Sequence, residues 1–310
     1  MVKYSIVVPV FNEELILNET YRQLKGTMDK TAEDYEIIFV NDGSQDSSPD
    51  IIRAFHKKDT KVKLLDFSRN FGHQIAINAG LDVSTGDAVI IVHADLQDPP
   101  EIILEMIKKW KDGYKVVLGK RTGREGEPFL KELATNIYYR LLKYLANYDI
   151  PVDVGDFRLI DKEVCNILRT LPEKNRYLRG LVRWVGFKQT FIEYVRHGRI
   201  GGKSKVSLSK LIGFGLSGIT SFSYKPLILA FYLGLLLCIL SPAGILTLSY
   251  LKLLHDKTII AFALLITLSL FFNGILFINL GIIGEYVGRI YEETKKRPLY
   301  IVKDKVGFEK

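Results

Sequence analysis

Cysteine is scarce in this sequence of 310 residues, which contains only Cys165 and Cys238. Two cysteines cannot supply the disulfide framework of a small secreted domain, and no Cys/His spacing typical of a zinc site is present. Cys165 falls in a predicted soluble helix and Cys238 in a long apolar segment, so we expect no disulfide between them. This cysteine usage is typical of a reducing compartment.

Two familiar sequence signals are also missing. There is no P-loop, and the Gly-x-x-Gly pattern at 281–284 ends an apolar segment instead of following a soluble strand, so it is not a dinucleotide fingerprint. The first residues predict a strand and not a leader with an apolar core. We therefore expect no signal peptide.

Charge is absent from two long segments, 226–251 and 258–284. Each exceeds the roughly 20 residues that a helix needs to cross a bilayer, which predicts two membrane-spanning helices. Buried core helices are the alternative, and the tandem arrangement disfavours it. Only the short segment 252–257 connects the two runs, so both ends of the chain are expected on one side of the membrane.

Basic residues flank the two predicted spans. They are Lys203, Lys205, Lys210, Lys225, Arg289, Lys295, Lys296 and Arg297. The positive-inside rule then predicts a multi-pass protein of the plasma (inner) membrane with its N-terminal domain in the cytoplasm. The net charge of +8 indicates attraction to anionic lipid and phosphate ligands; nucleic acid is disfavoured as a partner because the positive charge flanks the spans.

The spans divide the chain into four predicted parts. These are a soluble domain (1–206), an amphipathic helix in the membrane interface (207–224), the two spans (225–284) and a cytoplasmic juxtamembrane tail (285–310). An ordinary amphipathic helix packed on the soluble domain is the alternative for 207–224. The beginning of the tail, 285–296, is predicted to form a similar helix.

The apolar segment 88–92 predicts a buried strand that leads directly into polar residues. These residues are His93, Asp95, Gln97 and Asp98, before Pro99 and Pro100, which open a predicted helix. Ligands at i, i+2 and i+4 beyond the carboxyl end of a strand can converge on one cation such as Mg2+ or Mn2+. His93, Asp95 and Gln97 are therefore predicted metal ligands in a metal–diphosphate site; a solvated turn is the alternative.

A second buried strand, predicted over 36–40, ends in the polar segment 41–47. There Ser44, Asp46 or Ser47 can cap a predicted helix over 49–57. An acidic residue at a strand end can hold a ribose hydroxyl or a base edge, so Asp42 is predicted to contact a nucleoside. A plain strand–helix turn is the alternative.

Three segments together resemble the family 2 glycosyltransferases. They are Val-Val-Pro-Val-Phe-Asn-Glu at 7–13, Asn-Asp-Gly-Ser at 41–44 and Ala-Asp-Leu-Gln-Asp-Pro-Pro at 94–100. The resemblance implies a GT-A fold, a Rossmann-like α/β domain with a mixed sheet. It is strongest to the polyprenyl-phosphate branch, which includes bactoprenol glucosyltransferases and dolichol-phosphate mannose synthases. The donor-binding residues expected on this basis are Pro9, Phe11, Glu13, Asp42, Ser44 and Asp95.

One position departs from the pattern of that family. The family usually has Asp-Ala-Asp where this chain has His93-Ala94-Asp95. Neutral histidine binds Mn2+ or a softer ion but lacks the negative charge that Mg2+ prefers. The choice between Mg2+ and Mn2+ as cofactor therefore stays open, and so does an inactive variant.

The acceptor site is expected between residues 119 and 206. The glycine-rich and charged segment 119–128, with Arg121 and Arg124, predicts a mobile loop that acts as a lid; a solvated surface loop is the alternative. The resemblance extends to a Gly-x-Phe-Arg-Leu segment at 155–159, which implies that Asp156 and Arg158 are site residues. The alternative for Asp156 is a helix cap or a structural ion pair.

A basic segment precedes the predicted interfacial helix and resembles the Arg-x-x-Arg-x-x-Gly-x-Ser-Lys pattern of the family. Its residues Arg196, Arg199, Ser204 and Lys205 are predicted to bind the acceptor. Glycines in this segment let the backbone approach a phosphate, while Arg and Lys supply charge-assisted hydrogen bonds. Contact with lipid headgroups is the alternative, and the two are compatible.

These observations and the resemblance together predict an enzyme that transfers a sugar from a nucleotide sugar to polyprenyl (undecaprenyl) phosphate at the cytoplasmic membrane face, and the resemblance implies that the transfer is inverting. The preferred donor is UDP-glucose. Asp95 and Asp156 are the expected catalytic residues, Asp156 either orienting the acceptor or serving as a base. The alternatives are a mannose synthase that uses GDP-mannose and a catalytically impaired membrane scaffold. Small residues in the spans allow a homo-oligomer.

Overall fold

The computed structural model describes residues 2–122, 154–173, 177–196 and 258–308, with scattered positions between 227 and 250. They belong to two compact units. The first contains the described residues up to 196 and those from Arg297 onward, and the second contains the long helix at 258–294. The predicted interfacial helix 207–224 lies outside the described residues, as does most of the first predicted span.

The first unit alternates strands with helices, as its buried apolar segments predict. Its elements are β1 (Tyr4–Val10), α1 (Leu17–Asp29), β2 (Tyr35–Asn41), α2 (Ser48–Lys58), β3 (Val62–Phe67), α3 (His73–Val83), β4 (Ala88–Ile91), α4 (Ile102–Lys111), β5 (Val116–Arg121), β6 (Val154–Asp161), α5 (Lys162–Thr170), α6 (Leu178–Trp184) and β7 (Gln189–Tyr194). The second unit contributes α7 (Thr258–Thr294), after which β8 (Val302–Val306) returns to the first.

One sheet of eight described strands organises the first unit, in the order β7-β5-β6-β4-β1-β2-β3-β8. The pairs β1–β2, β1–β4, β2–β3 and β5–β7 are parallel, whereas β4–β6, β5–β6 and β3–β8 are antiparallel. The mixed α/β sheet expected from the sequence is confirmed. The reversed strand β6 lies between β4 and β5 and carries Asp156 and Arg158.

The central strand β1 is buried along its whole length because helices cover both faces of the sheet. On one face Tyr4, Ile6 and Val8 join a core that includes Leu24 and Met28 of α1. On the other face α3 packs closely against Val7: a Cβ added at Gly80 would lie 2.2 Å from a methyl carbon of Val7. The sheet is thus a rigid support for the residues at its edges.

Strands β1 and β4 separate at their carboxyl ends. Their pairing ends at Val7 and Ile91, after which the amide of Val92 donates to the carbonyl of Val7 at 3.0 Å. Pro9 lies beyond this last pair, where its missing N–H removes no hydrogen bond to β4. β1 has β2 on one side and β4 on the other, so a crevice lies at this edge of the sheet. Open α/β sheets bind ligands in such a crevice.

Two helix starts differ slightly from the expected ones. Helix α2 begins at Ser48, and Ser47 at its N-cap makes no side-chain cap hydrogen bond; instead Asp46 accepts from the amide of Ser48 at 3.0 Å. Helix α4 begins at Ile102, two residues after the proline pair, because a turn precedes it in which the Ile102 amide donates to the Pro99 carbonyl.

The tail predicted over 285–310 is divided between two elements. Residues up to Thr294 continue helix α7 without a break, so no separate helix forms there. Residues Val302–Val306 form β8, antiparallel to β3, with Asp304 bonded to Arg53 of α2 at 3.1 Å. The end of the chain is therefore part of the first unit, which the sequence did not predict.

Helix α7 matches the position of the second predicted span. Within the described residues, the segment Phe271–Thr294 is the one helix long and apolar enough to cross a membrane, with a mean hydropathy of 1.4. No residue in the most apolar part of this segment is buried. The two-span arrangement is not confirmed by these residues, because the first span falls largely outside them.

Candidate active site

The residues predicted to hold the donor come from the ends of β1 and β2, and the structure joins these two ends. The backbone amide of Asn12 donates to the Ser44 hydroxyl at 2.9 Å, and the amide of Gln45 donates to the Asn12 side chain at 2.8 Å. The amide of Glu13 donates to the Ser48 hydroxyl at 3.0 Å. Pro9 is buried within β1, and Phe11 follows that strand directly.

Asp42 follows β2 and is only 3% exposed. Its carboxylate accepts hydrogen bonds from the backbone amides of Phe71 at 2.7 Å and Gly72 at 3.0 Å. Burial raises the pKa of Asp42 and outweighs the opposing effect of these bonds. Asp42 therefore fixes the loop that precedes α3, in addition to the nucleoside contact predicted for it.

The three predicted metal ligands lie in one turn after β4. Leu96 has a φ of +53°, and the amide of Gln97 donates to Asp95 Oδ1 at 3.3 Å, which closes the turn. Asp95 is 9% exposed. His93 directs its Nδ1 to Asp98 Oδ2 at 2.6 Å. The turn thus keeps His93 and Asp95 at the opening between β1 and β4.

Asp98 is fully buried and collects side chains from several elements. Besides His93, Tyr194 of β7 donates its hydroxyl to Asp98 Oδ1. Two guanidinium groups lie slightly farther from the same oxygen, Arg121 at 3.8 Å and Arg196 at 3.9 Å. Burial raises the pKa of the Asp98 carboxyl, but the bond and charge of His93, with the charge of Arg121, hold it well below its usual range.

Asp156 on β6 is the second buried carboxylate, 3% exposed. Arg179 of α6 donates to its two oxygens at 2.8 and 3.0 Å, and Gln74 donates to Oδ2 at 3.0 Å. Burial raises the pKa of Asp156, but the charge of Arg179 and the neighbouring imidazole of His73 hold it well below its usual range. At neutral pH this group is an ionised carboxylate and a weak base.

Arg158 was predicted to bind the acceptor, and the structure places it inside the protein at 1% exposed. Its NH2 group donates to the carbonyl of Gly155 at 2.6 Å, and it lies 3.7 Å from Asp156 Oδ1. Burial lowers the pKa of Arg158 to about 10. This position suits support of Asp156 from within the sheet better than contact with a ligand.

His73 faces the site. It is the first residue of α3, and no side-chain cap hydrogen bond forms there. Its Nε2 lies 3.7 Å from Asp156 Oδ2, and its ring stacks on that of His93 with 5.1 Å between centroids. Ligand atoms of His73, His93 and Asp156 all lie within 4.8 Å of one another.

One feature of these side chains favours binding of a divalent cation, and another opposes it. A carboxylate bound to one ring nitrogen of a histidine is the usual support of a metal-bound imidazole, and Asp98 does this for His93, which leaves Nε2 as the ligand atom. Two imidazoles with a carboxylate suit Mn2+ better than Mg2+. Asp156, however, already binds Arg179 through both oxygens. A cation at this cluster would therefore compete with Arg179 for Asp156.

The predicted acceptor residues are only partly described. Arg121 and Arg196 lie together beside Asp98, as described above, while Arg124, Arg199, Ser204 and Lys205 lie outside the described residues. Sequence reasoning did not assign a role to Asp98 and missed Gln74, Arg179 and Tyr194. The sequence held a weak signal for Arg179, which is a charged residue inside the mainly apolar segment 177–187. It held no signal for Gln74 and Tyr194, because their roles follow from packing between distant segments.

Comparison with known proteins gives a consistent result. A family model described as glycosyl transferase family 2 matches residues 5–168. Over 308 residues the chain is 54% identical to the uncharacterized glycosyltransferase YkcC of Bacillus subtilis, covering 99% of this chain and 95% of that protein. It is 40% identical over 303 residues to the bactoprenol glucosyl transferase of Shigella phage SfX, covering 98% and 99%.

The chain is also similar to a second bactoprenol relative and to one solved structure. The prophage bactoprenol glucosyl transferase homolog of Escherichia coli is 40% identical over 301 residues, covering 97% of this chain and 98% of that protein. Glucosyl-3-phosphoglycerate synthase from Mycobacterium tuberculosis superposes with a TM-score of 0.51 at 17% identity, over 71% of this chain and 76% of that one. The similarity to this solved structure concerns the fold alone.

Proposed function

The chain belongs to glycosyl transferase family 2, and we propose that it transfers glucose from UDP-glucose to a polyprenyl monophosphate at the cytoplasmic face of the membrane. Relatives named bactoprenol glucosyl transferase, 40% identical over nearly the whole chain, support the glucose donor and the lipid acceptor. The structural observation that carries the proposal is the meeting of Arg121 and Arg196 beside Asp98, the same buried carboxylate that binds His93.

The donor half of the proposed site lies at the ends of β1 and β2. Asp42 and Ser44 are held by backbone contacts and are positioned to meet a nucleoside. A divalent cation bound by His93 and Asp95 would supply positive charge to the leaving diphosphate. Gln97 belongs to the same turn and would complete the ligand set. With its imidazole ligand, this set favours Mn2+ over Mg2+.

The acceptor half consists of arginines. Arg121 and Arg196 would hold the phosphate of the polyprenyl chain, and Arg124, Arg199, Ser204 and Lys205 are proposed to extend this contact. A phosphate monoester has a second pKa of about 6, so it is mostly a dianion at neutral pH. Its oxygen can form the new bond to the anomeric carbon while the bond to the nucleoside diphosphate breaks, and the electron pair leaves with the diphosphate. Attack from the opposite side inverts the configuration.

Asp156 orients the acceptor in this scheme and does not serve as the base. A carboxylate held in the ionised form by Arg179 takes up a proton poorly, and a dianionic phosphate has no proton to give. The alternative that the sequence left open, Asp156 as a base, is therefore disfavoured. Its link to Gln74 and His73 connects the start of α3 to β6 across the crevice.

Substitutions at the two ends of the site test this assignment. Asp42→Asn should raise the KM for the nucleotide sugar about tenfold and leave the KM for the acceptor nearly unchanged, while Arg121→Ala should do the reverse. Asp50→Asn and Arg22→Ala, both exposed, are matched controls. Equal effects of both site variants on both substrates would contradict the assignment. Competition by UDP but not GDP is expected; GDP competition would favour a mannose donor.

A further inference from the structure

The two carboxylate oxygens of Asp98 contact different groups. Oδ2 is bonded to the imidazole of His93 at 2.6 Å. Oδ1 accepts from the hydroxyl of Tyr194 and faces the guanidinium groups of Arg121 and Arg196. The first group belongs to the proposed donor half of the site and the others to the acceptor half. One carboxylate thus lies between the two halves.

The arginines beside Oδ1 are attracted to Asp98 without being fixed by it. Their distances of 3.8 and 3.9 Å exceed hydrogen-bonding length. Arg121 donates to the Tyr194 hydroxyl at 3.3 Å, and the buried Nε of Arg196 has no hydrogen-bond partner among the described residues. Neither guanidinium group is therefore held by a hydrogen bond to Asp98, and the charge of Asp95 also acts on Arg196. An anionic ligand can therefore bind these arginines while Asp98 keeps Tyr194 and His93.

The surrounding strands hold Arg121 in this position. Arg121 and Tyr194 are paired residues of the parallel strands β5 and β7, so their side chains lie next to each other. On β6, a Cβ added at Gly155 would lie 2.5 Å from the Arg121 NH2 group. The guanidinium group therefore occupies space that the absence of a side chain at Gly155 provides. Burial and the charge of Asp98 raise the pKa of Tyr194, which stays a hydrogen-bond donor.

We propose that Asp98 is a positioning residue that couples the two halves of the site, holding the His93 ring toward the cation through Oδ2 and the Tyr194–Arg121 pair toward the acceptor phosphate through Oδ1. The proposal rests on the proposed function. A bond from the Nδ1 hydrogen of His93 to Asp98 selects the tautomer whose Nε2 can bind a metal. Because a carboxylate accepts through both oxygens and an amide through only one, no neutral residue of the same shape can serve both sides.

The first test is Asp98→Asn, assayed against Asp161→Asn. Asp161 is also a buried carboxylate, but it pairs with Ala88 at the start of β4, at the opposite edge of the sheet, and bonds Trp110. Asp98→Asn should raise both the acceptor KM and the dissociation constant for Mn2+ by about tenfold, the effect of losing one charged hydrogen bond. Asp161→Asn should change neither. Mn2+ binding is measured by electron paramagnetic resonance on the full-length protein without substrates.

The second test is a milder variant, which keeps the proposal falsifiable if Asp98→Asn does not fold. Tyr194→Phe removes one hydroxyl from Oδ1 and should weaken Mn2+ binding about threefold, although Tyr194 is not a proposed ligand. Tyr114→Phe is its control. Unchanged Mn2+ binding in Tyr194→Phe, or equal behaviour of Asp98→Asn and Asp161→Asn, would overturn the proposal. If the wild-type protein does not use a polyprenyl phosphate, the proposed function fails while the Mn2+ measurement still decides the coupling at His93.

Discussion

His93 replaces an aspartate of the family pattern, and its surroundings explain how the site tolerates the change. A histidine can donate to the buried Asp98, whereas an aspartate at 93 would place a second carboxylate beside it. Two carboxylates at this distance repel unless a cation or a proton lies between them. We propose that the residues at 93 and 98 together set the cation preference of the site.

His93→Asp should make the protein less stable without metal and more responsive to Mg2+. The added negative charge meets Asp98, and Mg2+ prefers oxygen ligands, so Mg2+ should raise the melting temperature of the variant more than that of the wild type. Mg2+-supported turnover should be preserved or increased. Equal Mg2+ shifts in the two proteins would mean that position 93 does not contact the cation. A loss of turnover would mean that His93 has a role of its own or lies away from the cation. Thermal unfolding with and without Mg2+ is the measurement.

Asp156 depends on Arg179, and acid should reveal that dependence. Because the folded-state pKa of Asp156 is lowered, its contribution to stability is present above the unfolded-state value of about 3.9 and is lost as the pH falls further. Arg179→Ala removes the largest cause of the lowering, so the folded-state pKa should rise toward or above the unfolded-state value and the acid-induced loss of stability should become smaller. At neutral pH the cost should be about 2 kcal/mol.

The control for Arg179→Ala lies on the same helix. Arg183 of α6 is exposed, so Arg183→Ala should change neither the pH dependence nor the rate. Urea unfolding at pH values between about 2 and 7 compares the three proteins across the range where this carboxyl group titrates in the folded and unfolded states. If Arg179→Ala followed the wild-type profile, Asp156 would owe its ionised state to other partners, such as Arg158.

The loop before α3 shows how one element supports another. Tyr300, just before β8, stacks on Phe67 of β3 with 5.0 Å between ring centroids, and Phe67 meets Phe71 edge-on at 5.6 Å. The amide of Phe71 in turn donates to Asp42. A residue near the end of the chain thus steadies the loop at the proposed nucleoside site.

Tyr300→Ala should lower the free energy of unfolding by about 1–2 kcal/mol, since an aromatic contact is lost. It should also weaken nucleotide binding several-fold, because the loop at Phe71 loses its support. Ile301→Ala is the matched control, since that neighbour is 54% exposed. Calorimetric titration with UDP gives the affinity. A stability loss with unchanged UDP affinity would show that β8 supports the sheet and not the site.

The sequence predicted those parts of the fold and site that follow local rules. Buried apolar runs with polar ends located β1, β2 and β4, and parallel strands bring such ends together, so Asp42 and His93 were placed at one edge. Strand β8 was missed because Val-Lys-Asp-Lys-Val is mostly charged, as suits an edge strand. Arg179 and Tyr194 reach the site only through the order of β5, β6 and β7, which no local pattern encodes.

At the scale of the whole molecule, helix α7 is the described element that favours a membrane location. Exposed apolar side chains line it, among them Phe271, Phe277 and Leu280. In water such a surface would cost about 25 cal/mol for each Å2 of apolar area, which insertion in a bilayer removes. We propose that the protein is a multi-pass protein of the inner membrane, in which the first span is the predicted segment 226–251.

The membrane proposal predicts that the protein stays with membranes through a high-salt wash and is released by detergent. Salt screens basic residues such as Lys295 but does not extract an apolar helix. Replacing Phe277 and Leu280 by arginine should reduce insertion, since each charge costs about 3 kcal/mol at the bilayer centre. Arginine at Tyr291, beyond the uncharged segment, should be tolerated. Release by salt alone would mean that charge and not insertion holds the protein at the membrane.

The measurement that most directly tests the whole account is transfer of radiolabelled glucose from UDP-glucose to a polyprenyl monophosphate in detergent. We predict labelled lipid with Mn2+, less with Mg2+ and none with EDTA, and less label in the Asp98→Asn protein than in the wild type at limiting acceptor and Mn2+. Labelled lipid from GDP-mannose alone would keep the fold and the acceptor but correct the donor. No labelled lipid from either donor, with a wild-type protein that still binds Mn2+, would contradict the central claim.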